Sequence, residues 1–221
     1  MVIHNVYNMS NVVILEAQYF PPLEYLSKII LFSNISIEAH EHYQKGSYRN
    51  RCHIATSQGV QALSVPLKKG KNAQMPIRDV AIAYDIDWQR QHWQSLKTAY
   101  GSAPFWEHYA PMLEPLFSKK NTYLFDLNLD ILDFILKILK IKNSITITLT
   151  DTYVAENADD TSLINREGVL DLRNQISPKR TSLYGAKYAQ VFEDKHGFLP
   201  NLSILDAVLC CGNHALSSLS R

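Results

Sequence analysis

The chain is poor in the residues that build disulfide frameworks and metal sites. It has 3 cysteines in 221 residues, Cys52, Cys210 and Cys211, and no C-x-x-C spacing. Two of the three are adjacent, which is a poor arrangement for a disulfide, and an odd number cannot pair completely. A disulfide framework and a zinc ribbon are therefore excluded, and a reducing, cytoplasmic location is predicted.

Long hydrophobic runs are also missing. The longest, such as residues 29–32, fall far below the ~20 residues that a membrane helix needs. Residues 1–10 have no basic run ahead of an apolar stretch and no cleavage pattern, so we expect a flexible N-terminus rather than a signal peptide. No membrane insertion is predicted.

The sequence has little net charge and none of the common nucleotide-binding motifs. Its 22 basic and 21 acidic residues give a net charge of +1, so no global field recruits nucleic acid, and no nucleic-acid partner is predicted. The chain contains no Walker loop, no G-x-G-x-x-G and no G-x-S-x-G. Functions that depend on those loops have no support here.

Length and periodicity predict an α/β protein. With 46% hydrophobic residues the chain can bury a core, and we expect one domain over 1–221, a mixed sheet flanked by helices, and a helical C-terminal part. Short alternating or β-branched runs predict strands at 12–15, 35–43, 50–55, 61–67, 80–84 and 145–149. Helical spacing and capping signals predict helices over 23–32, 87–101, from 104, 123–141 and 201–209, and a long loop with some local structure over 157–180.

Charge is unevenly distributed along the first half of the chain. Between Lys45 and Arg78 there are seven basic residues and no acidic one: Lys45, Arg49, Arg51, Lys68, Lys69, Lys71 and Arg78. Arg49 and Arg51 would share a strand face and form a fork, and the turn at 68–72 could close over a phosphate. This pattern predicts an anionic small-molecule partner; the alternative is a solvated face that pairs with acids elsewhere in the fold.

Several histidines are candidate functional groups. Glu38, His40 and His42 would share one face of the strand predicted at 35–43, which is a ligand spacing for zinc or iron. A polar sheet face with hydrogen-bonded imidazoles is the alternative, and no metal site is predicted. His40 or His42 could instead act as a general base, since histidine titrates near neutral pH.

Aromatic residues accompany another histidine further along the chain. Trp88 and His92 lie one helical turn apart with Tyr100 downstream, a face that packs in a core or lines a sugar pocket. His92 is a candidate acid or base. Cys52 is excluded as a nucleophile activated by His53, because adjacent side chains on a strand point to opposite faces.

The order and spacing of several motifs resemble the WbqC-like family over nearly the whole chain after residue 11. The motifs are Gln18-Tyr19-Phe20-Pro21-Pro22, 38–45, Tyr48-Arg49-Asn50-Arg51-Cys52, 63–67, 88–92, 100–105 and 188–203. The family takes its name from gene clusters for lipopolysaccharide O-antigen synthesis, so the resemblance implies an intracellular step on an activated sugar. It points to the motif positions Tyr19, Pro21, Tyr43, Lys45, Asn50, Arg51, Trp88, His92 and Tyr100.

The chain departs from the family pattern at the first motif. Other members begin it with His-Gln-Pro, whereas the matching positions here are Leu15, Glu16 and Ala17. If that histidine is catalytic, the resemblance implies that this chain uses another group, such as His40 or His42, or has lost the activity.

The residues and the resemblance lead to one hypothesis: an enzyme of surface-polysaccharide biosynthesis that transfers an acyl or aminoacyl group to a nucleotide-linked amino sugar. The predicted catalytic groups are His92, His40 and Tyr43. The predicted substrate-binding residues are Tyr19, Lys45, Arg49, Asn50, Arg51, Lys68, Lys69, Lys71, Trp88 and Tyr100. A non-catalytic protein that binds a sugar nucleotide or a partner of the same pathway is the alternative; cofactor and oligomeric state stay open.

Overall fold

A parallel sheet and an antiparallel hairpin organise the chain in a computed structural model, which describes residues 12–69, 75–155, 169–180 and 187–215. The strands are β1 (Val13–Leu15), β2 (Asn34–Ile37), β3 (Arg51–Thr56), β4 (Gly59–Ser64), β5 (Thr146–Leu149) and β6 (Leu170–Asp171). The helices are α1 (Leu23–Phe32), α2 (Trp88–Tyr100), α3 (Trp106–Ser118), α4 (Leu124–Ile138), α5 (Glu193–His196) and α6 (Ile204–Cys211).

The four strands of the larger sheet run parallel in the order β5-β2-β1-β6. β1 is buried on both faces, as the run Val13-Ile14-Leu15 predicts for a central parallel strand. The strands β2 and β5 lie on one side of β1, and β6, the last of these strands along the chain, lies on the other side. The strand order therefore reverses beside β1, where open parallel sheets commonly bind ligands outside the carboxyl ends of the strands.

The hairpin β3–β4 stands apart from this sheet. Its strands pair from Arg51 opposite Ser64 to Thr56 opposite Gly59, and Gly59 has a φ of 100° that favours glycine at the turn. Cys52 and Ile54 are buried, whereas Arg51 and His53 lie on the other face and are partly exposed. The hairpin thus presents a basic side chain and an imidazole toward the outside of the core.

Two helices, α2 and α6, contact β3 of the hairpin, and α6 is a buried C-terminal element. Asp87 caps α2 by accepting a hydrogen bond from Arg90 N, and Gly101 ends that helix. Every residue of α6 from Ile204 to Leu209 is at most 1% exposed, and α6 contacts α1, α2, α3 and β3. None of the helices in the described ranges is both long and apolar enough to cross a membrane.

The α/β class and the helical C-terminal part are confirmed, with the parallel and antiparallel strands in separate sheets. Two details of the prediction were wrong: β2 ends at Ile37 rather than 43, and residues 80–84 contribute only isolated bridges at Ala81 and Ile82. The loop predicted over 157–180 with some local structure includes the two-residue strand β6. Residues 1–10 and Lys71, with most of the 68–72 turn, lie outside the described residues.

The predicted cap of the last helix was also wrong. Ser203 caps α6 by accepting a hydrogen bond from Leu205 N. Asn201 instead reaches back 177 positions, where its Oδ1 accepts from Glu24 N in the first turn of α1. The C-terminal segment therefore supplies a cap that the Pro22 start of α1 lacks.

Candidate functional site

A buried ionic network lies at the carboxyl ends of the parallel strands. Glu38 follows β2 and accepts from Arg173 Nη1 at 3.0 Å, from Thr150 Oγ1 at 2.8 Å and from Val154 N at 3.0 Å. Arg173 follows β6 and also pairs with Asp171. Glu38 is fully buried and Arg173 is 4% exposed, so these charges are enclosed and mutually satisfied.

A second buried pair joins the network beside β1. Arg49 Nε and Nη2 donate to the two carboxylate oxygens of Glu41 at 2.7 and 2.5 Å, and Nη2 also donates to Asn174 Oδ1 at 3.0 Å. Burial raises the pKa of Glu41, against the effect of the Arg49 hydrogen bond. Arg49 is fully buried and precedes β3, so the fork predicted for Arg49 and Arg51 on one strand face does not form.

Leu15, where the resemblance implies a histidine, is the last residue of β1 and is fully buried, so an aliphatic core residue occupies this position. The next residue, Glu16, is 1% exposed and accepts from Gln18 Nε2 and Asn174 N. The first motif of this chain therefore holds β1 to the segment after β6.

Tyr19, Trp88 and His92, three of the nine motif positions, meet in the core. The Tyr19 hydroxyl donates to His92 Nδ1 at 2.9 Å, and the rings of Trp88 and His92 contact edge to face at 5.1 Å between centroids. Burial lowers the pKa of His92 to about 4, and a contact with the Ser64 backbone opposes that shift. At neutral pH the imidazole is uncharged and enclosed, with Nδ1 engaged by Tyr19.

Tyr100 belongs to a different cluster. Its hydroxyl donates to Asp206 Oδ1 at 2.7 Å, while Tyr188 OH and Gln190 Nε2 donate to Oδ2 at 2.7 and 3.3 Å. Asp206 is fully buried, and burial raises its pKa although the tyrosine hydrogen bonds lower it. This carboxylate ties α6 to α2 and to the segment that begins at residue 187.

The remaining predicted residues are dispersed. His40 Nε2 contacts Thr150 O at 3.1 Å, Asn50 Nδ2 donates to Val65 O at 3.0 Å, and Tyr43 N donates to Met75 O. Lys45, Lys68 and Lys69 are exposed.

The strand face predicted for Glu38, His40 and His42 is absent, because β2 ends at Ile37. Glu38 Oε1 accepts from His40 N at 2.8 Å, a local turn that takes the chain out of the sheet. Within the described ranges, no group of three or more histidine, cysteine, aspartate or glutamate side chains could hold a metal ion.

A cavity of about 330 Å³ on the outer face of the hairpin does gather functional side chains, and we name it the basic groove. Its size is at the lower end of the range for small-molecule sites. None of the ion pairs between described residues includes Lys179 or Arg180, although Arg180 Nη1 donates to Gln175 Oε1. The residues that supply its chemistry are Tyr48, His53, Lys179, Arg180 and Asn201.

His53 lies in the basic groove in a neutral form. Burial lowers its pKa, and the positive charge of Arg51 lowers it further. Its ring meets that of Tyr48 edge to face at 5.4 Å between centroids. A neutral imidazole in a positively charged cavity can accept a proton from a bound anionic ligand.

Sequence reasoning missed most of this groove. His53 was considered only as a neighbour of Cys52, and Lys179 and Arg180 fell in the segment predicted as a loop. The signal that could have found them is the basic pair directly after Ser177-Pro178, shortly before the last motif at 188–203. Among the residues predicted to bind substrate, Arg51 acts on this groove because its positive charge lowers the pKa of His53.

Comparison with known proteins places the chain in a family. An uncharacterized protein of Mycobacterium tuberculosis (strain ATCC 25618 / H37Rv), Rv1507c, is 31% identical over 134 residues, which cover 60% of this chain. The chain matches 58% of the length of that relative. No solved structure matches the chain significantly. The model of the WbqC-like protein family matches residues 16–185, well over half of the chain. The chain therefore belongs to the WbqC-like protein family.

Proposed function

We propose that the protein is an enzyme of surface-polysaccharide biosynthesis that transfers an acyl or aminoacyl group to a nucleotide-linked amino sugar, with the basic groove holding the anionic part of that substrate. The observation that carries the proposal is the convergence of Lys179 and Arg180, without ion-pair partners among the described residues, with the neutral imidazole of His53. Cationic side chains on a cavity wall favour phosphates through charge-assisted hydrogen bonds.

Some residues of the basic groove would bind the phosphates through charge, and others would orient the sugar. Arg180 presents a planar guanidinium and Lys179 a point charge, which together suit the adjacent phosphates of a nucleotide sugar. Tyr48, which is largely buried, and Asn201, whose amide is partly engaged by Glu24, also line the groove. These groups would orient the sugar beside His53.

His53 is the proposed general base, in place of His92 or His40. The sugar amine attacks the carbonyl carbon of an activated acyl donor such as a thioester, the new C–N bond forms, and the C–S bond breaks to release the thiolate. The amine must lose a proton as it attacks, and a neutral His53 can take it. His92 is enclosed with Nδ1 on Tyr19, and His40 has Nε2 on Thr150 O, so both are occupied.

The test combines binding and turnover. A UDP-linked or dTDP-linked amino sugar should raise the melting temperature, by an amount that grows with the ratio of ligand concentration to Kd. Lys179→Gln or Arg180→Gln should weaken binding about tenfold or more in calorimetric titration, because hydrogen bonds to charged groups contribute about 1.5–3 kcal/mol. Lys140→Gln, an exposed lysine after α4, is the matched control and should bind as the native chain does.

His53→Gln separates an enzyme from a binding protein. With an acyl thioester as donor, the variant should keep its affinity for the sugar nucleotide and lose about 10²–10⁴-fold in turnover. Binding without turnover in the native chain would favour the non-catalytic alternative. No stabilisation by any sugar nucleotide would refute the proposal.

A further inference from the structure

A second cavity, larger than the basic groove and different in chemistry, lies between the hairpin and α2. Its volume is about 790 Å³, well inside the range of small-molecule sites. We name it the amide cleft after its three carboxamides, Gln58, Gln61 and Gln94, which are all exposed. Ser95 and Thr98 of α2 add hydroxyls to the wall, and Phe192 adds an aromatic ring.

The lining of the amide cleft is polar and uncharged. None of the described residues that line it is acidic, basic or a histidine, in contrast to the basic groove. Each carboxamide offers two donor hydrogens and two acceptor lone pairs, and each hydroxyl both donates and accepts. Such groups match a ligand whose own groups donate and accept at once, which is the property of sugar hydroxyls. A phosphate or carboxylate would gain no charged partner here.

The aromatic ring adds a second feature that suits a saccharide. Phe192 is partly buried and packs on the core, so its position is fixed. The face of an aromatic ring is negatively polarised and packs against C–H groups. A sugar ring has an apolar C–H face and a rim of hydroxyls, which the ring and the amides can contact together.

The walls of the cleft are held in place. Ser57 O accepts from Lys195 Nζ at 2.6 Å and from His196 Nε2 at 3.2 Å, which fastens α5 to the tip of the hairpin. At the same tip, Thr56 Oγ1 donates to Gly59 O at 2.8 Å. A fixed wall lowers the entropic cost of binding.

Val60 connects the two cavities. It lines both of them and is 52% exposed. A ligand that extends past Val60 can therefore place an anionic end in the basic groove and an uncharged end in the amide cleft.

We propose that the amide cleft binds a neutral, polyhydroxylated saccharide. The assignment depends on the lining of the cleft alone; the idea that one substrate spans both cavities rests additionally on the proposed function. In that case the saccharide is either the sugar of the nucleotide-linked substrate or a glycan to which it is attached.

The experiment uses N,N′-diacetylchitobiose, a neutral disaccharide without phosphate, and saturation-transfer NMR on the full chain. We expect transfer to the disaccharide, with affinity weakened about fivefold or more in the double variant Gln61→Ala/Gln94→Ala, which removes two hydrogen-bonding amides. Both side chains are exposed, so the fold should be kept. Gln91→Ala, an exposed position of α2 that does not line the cleft, is the matched control and should bind normally.

Two outcomes would overturn the inference: no transfer to the disaccharide at millimolar concentration, or transfer that the double variant leaves unchanged. Lys179→Gln distinguishes this inference from the proposed function. It should weaken sugar-nucleotide binding about tenfold or more and leave disaccharide binding intact. Disaccharide binding without any sugar-nucleotide binding would refute only the proposed function.

Discussion

His53 and His92 both have lowered pKa values, but His53 is partly exposed and lines the basic groove, whereas His92 is buried. The difference follows from where each side chain points. His92 lies on the buried face of α2 against Tyr19 and Trp88, while His53 lies on the outer face of β3. His92 therefore holds the core together in its neutral form, and His53 is available to a ligand.

The enclosure of His92 predicts a pH-dependent stability. Its pKa is about 4 in the folded chain, against 6.5 for an ordinary histidine. As the pH falls below about 6.5, His92 is therefore protonated in the unfolded chain while it stays neutral in the folded chain. The stability contributed by neutral His92 is thus present above pH 6.5 and is lost as the pH falls toward 4. The expected loss between pH 7 and pH 4.5 is about 2 kcal/mol.

Urea unfolding of the native chain and of His92→Gln at these two pH values measures that loss. A glutamine amide can still accept from Tyr19, and other groups such as His53 titrate in both proteins, so the difference between them isolates His92. The variant should lose about 2 kcal/mol less on acidification. Equal losses in the two proteins would contradict the burial argument.

Burial also explains which charged residues the sequence could identify. The basic stretch drew attention to residues 45–78, but a charge count cannot show that Glu41 neutralises Arg49, or that Asn174, 125 positions away, also accepts a hydrogen bond from Arg49. The cations of the groove, Lys179 and Arg180, come close to Tyr48 and His53 only through the fold. Long-range contacts of this kind leave no local pattern.

At the scale of elements, the sequence was most informative where periodicity continued over many residues. The spacing of Leu127, Ile131 and Ile135 predicted α4, and Asp87 and Gly101 marked the ends of α2. β6 has only two residues, too few for any periodicity, and exists because Leu170 and Asp171 pair with β1. The alternation after Ile37 was misleading, since Glu38 binds the His40 N–H instead of continuing the strand.

β6 pairs with the central strand β1, and Arg173 follows β6. We therefore expect that replacing Arg173 lowers the free energy of unfolding strongly. Arg173→Gln leaves Glu38 buried without its cation, and we expect a loss of about 3 kcal/mol or more in the free energy of unfolding. Arg90→Gln removes the same charge from the pair with Asp87, whose side chains are 78% and 67% exposed, and should cost at most about 0.5 kcal/mol.

Urea unfolding of both single variants and of Glu38→Gln/Arg173→Gln tests the explanation. The double variant removes both charges, so it should be more stable than Arg173→Gln alone. If Arg173→Gln were no more costly than Arg90→Gln, the ion pair would not hold β2 and β6 together.

At the scale of the whole molecule, the C-terminal segment completes the core. Leu23 N donates to Leu202 O, Ser203 N to His53 O, Ile204 N to Pro21 O and Phe105 N to Leu209 O, so the segment contacts three distant parts of the chain. The family match, however, ends at residue 185. The core contacts of the described residues therefore extend beyond the matched region.

This difference predicts that residues 1–185 do not fold alone. Without α6 the buried faces of α1, α2 and β3 would meet water, and Tyr100 would lose the carboxylate of Asp206. The side chains of Ile204, Leu205, Val208 and Leu209 are each at most 1% exposed, and each contributes about 1.5–3 kcal/mol on burial. Their sum approaches the whole stability of a typical domain, about 5–15 kcal/mol.

Thermal unfolding followed by near-UV circular dichroism should show a cooperative transition for the full chain and none for 1–185. Val208→Ala in the full chain, which removes only part of one contact, is the control and should melt cooperatively at a lower temperature. A cooperative transition in 1–185 at the temperature of the full chain would mean that α6 is an appendage, and the carboxylate of Asp206 would then have no part in holding the helices around the hairpin.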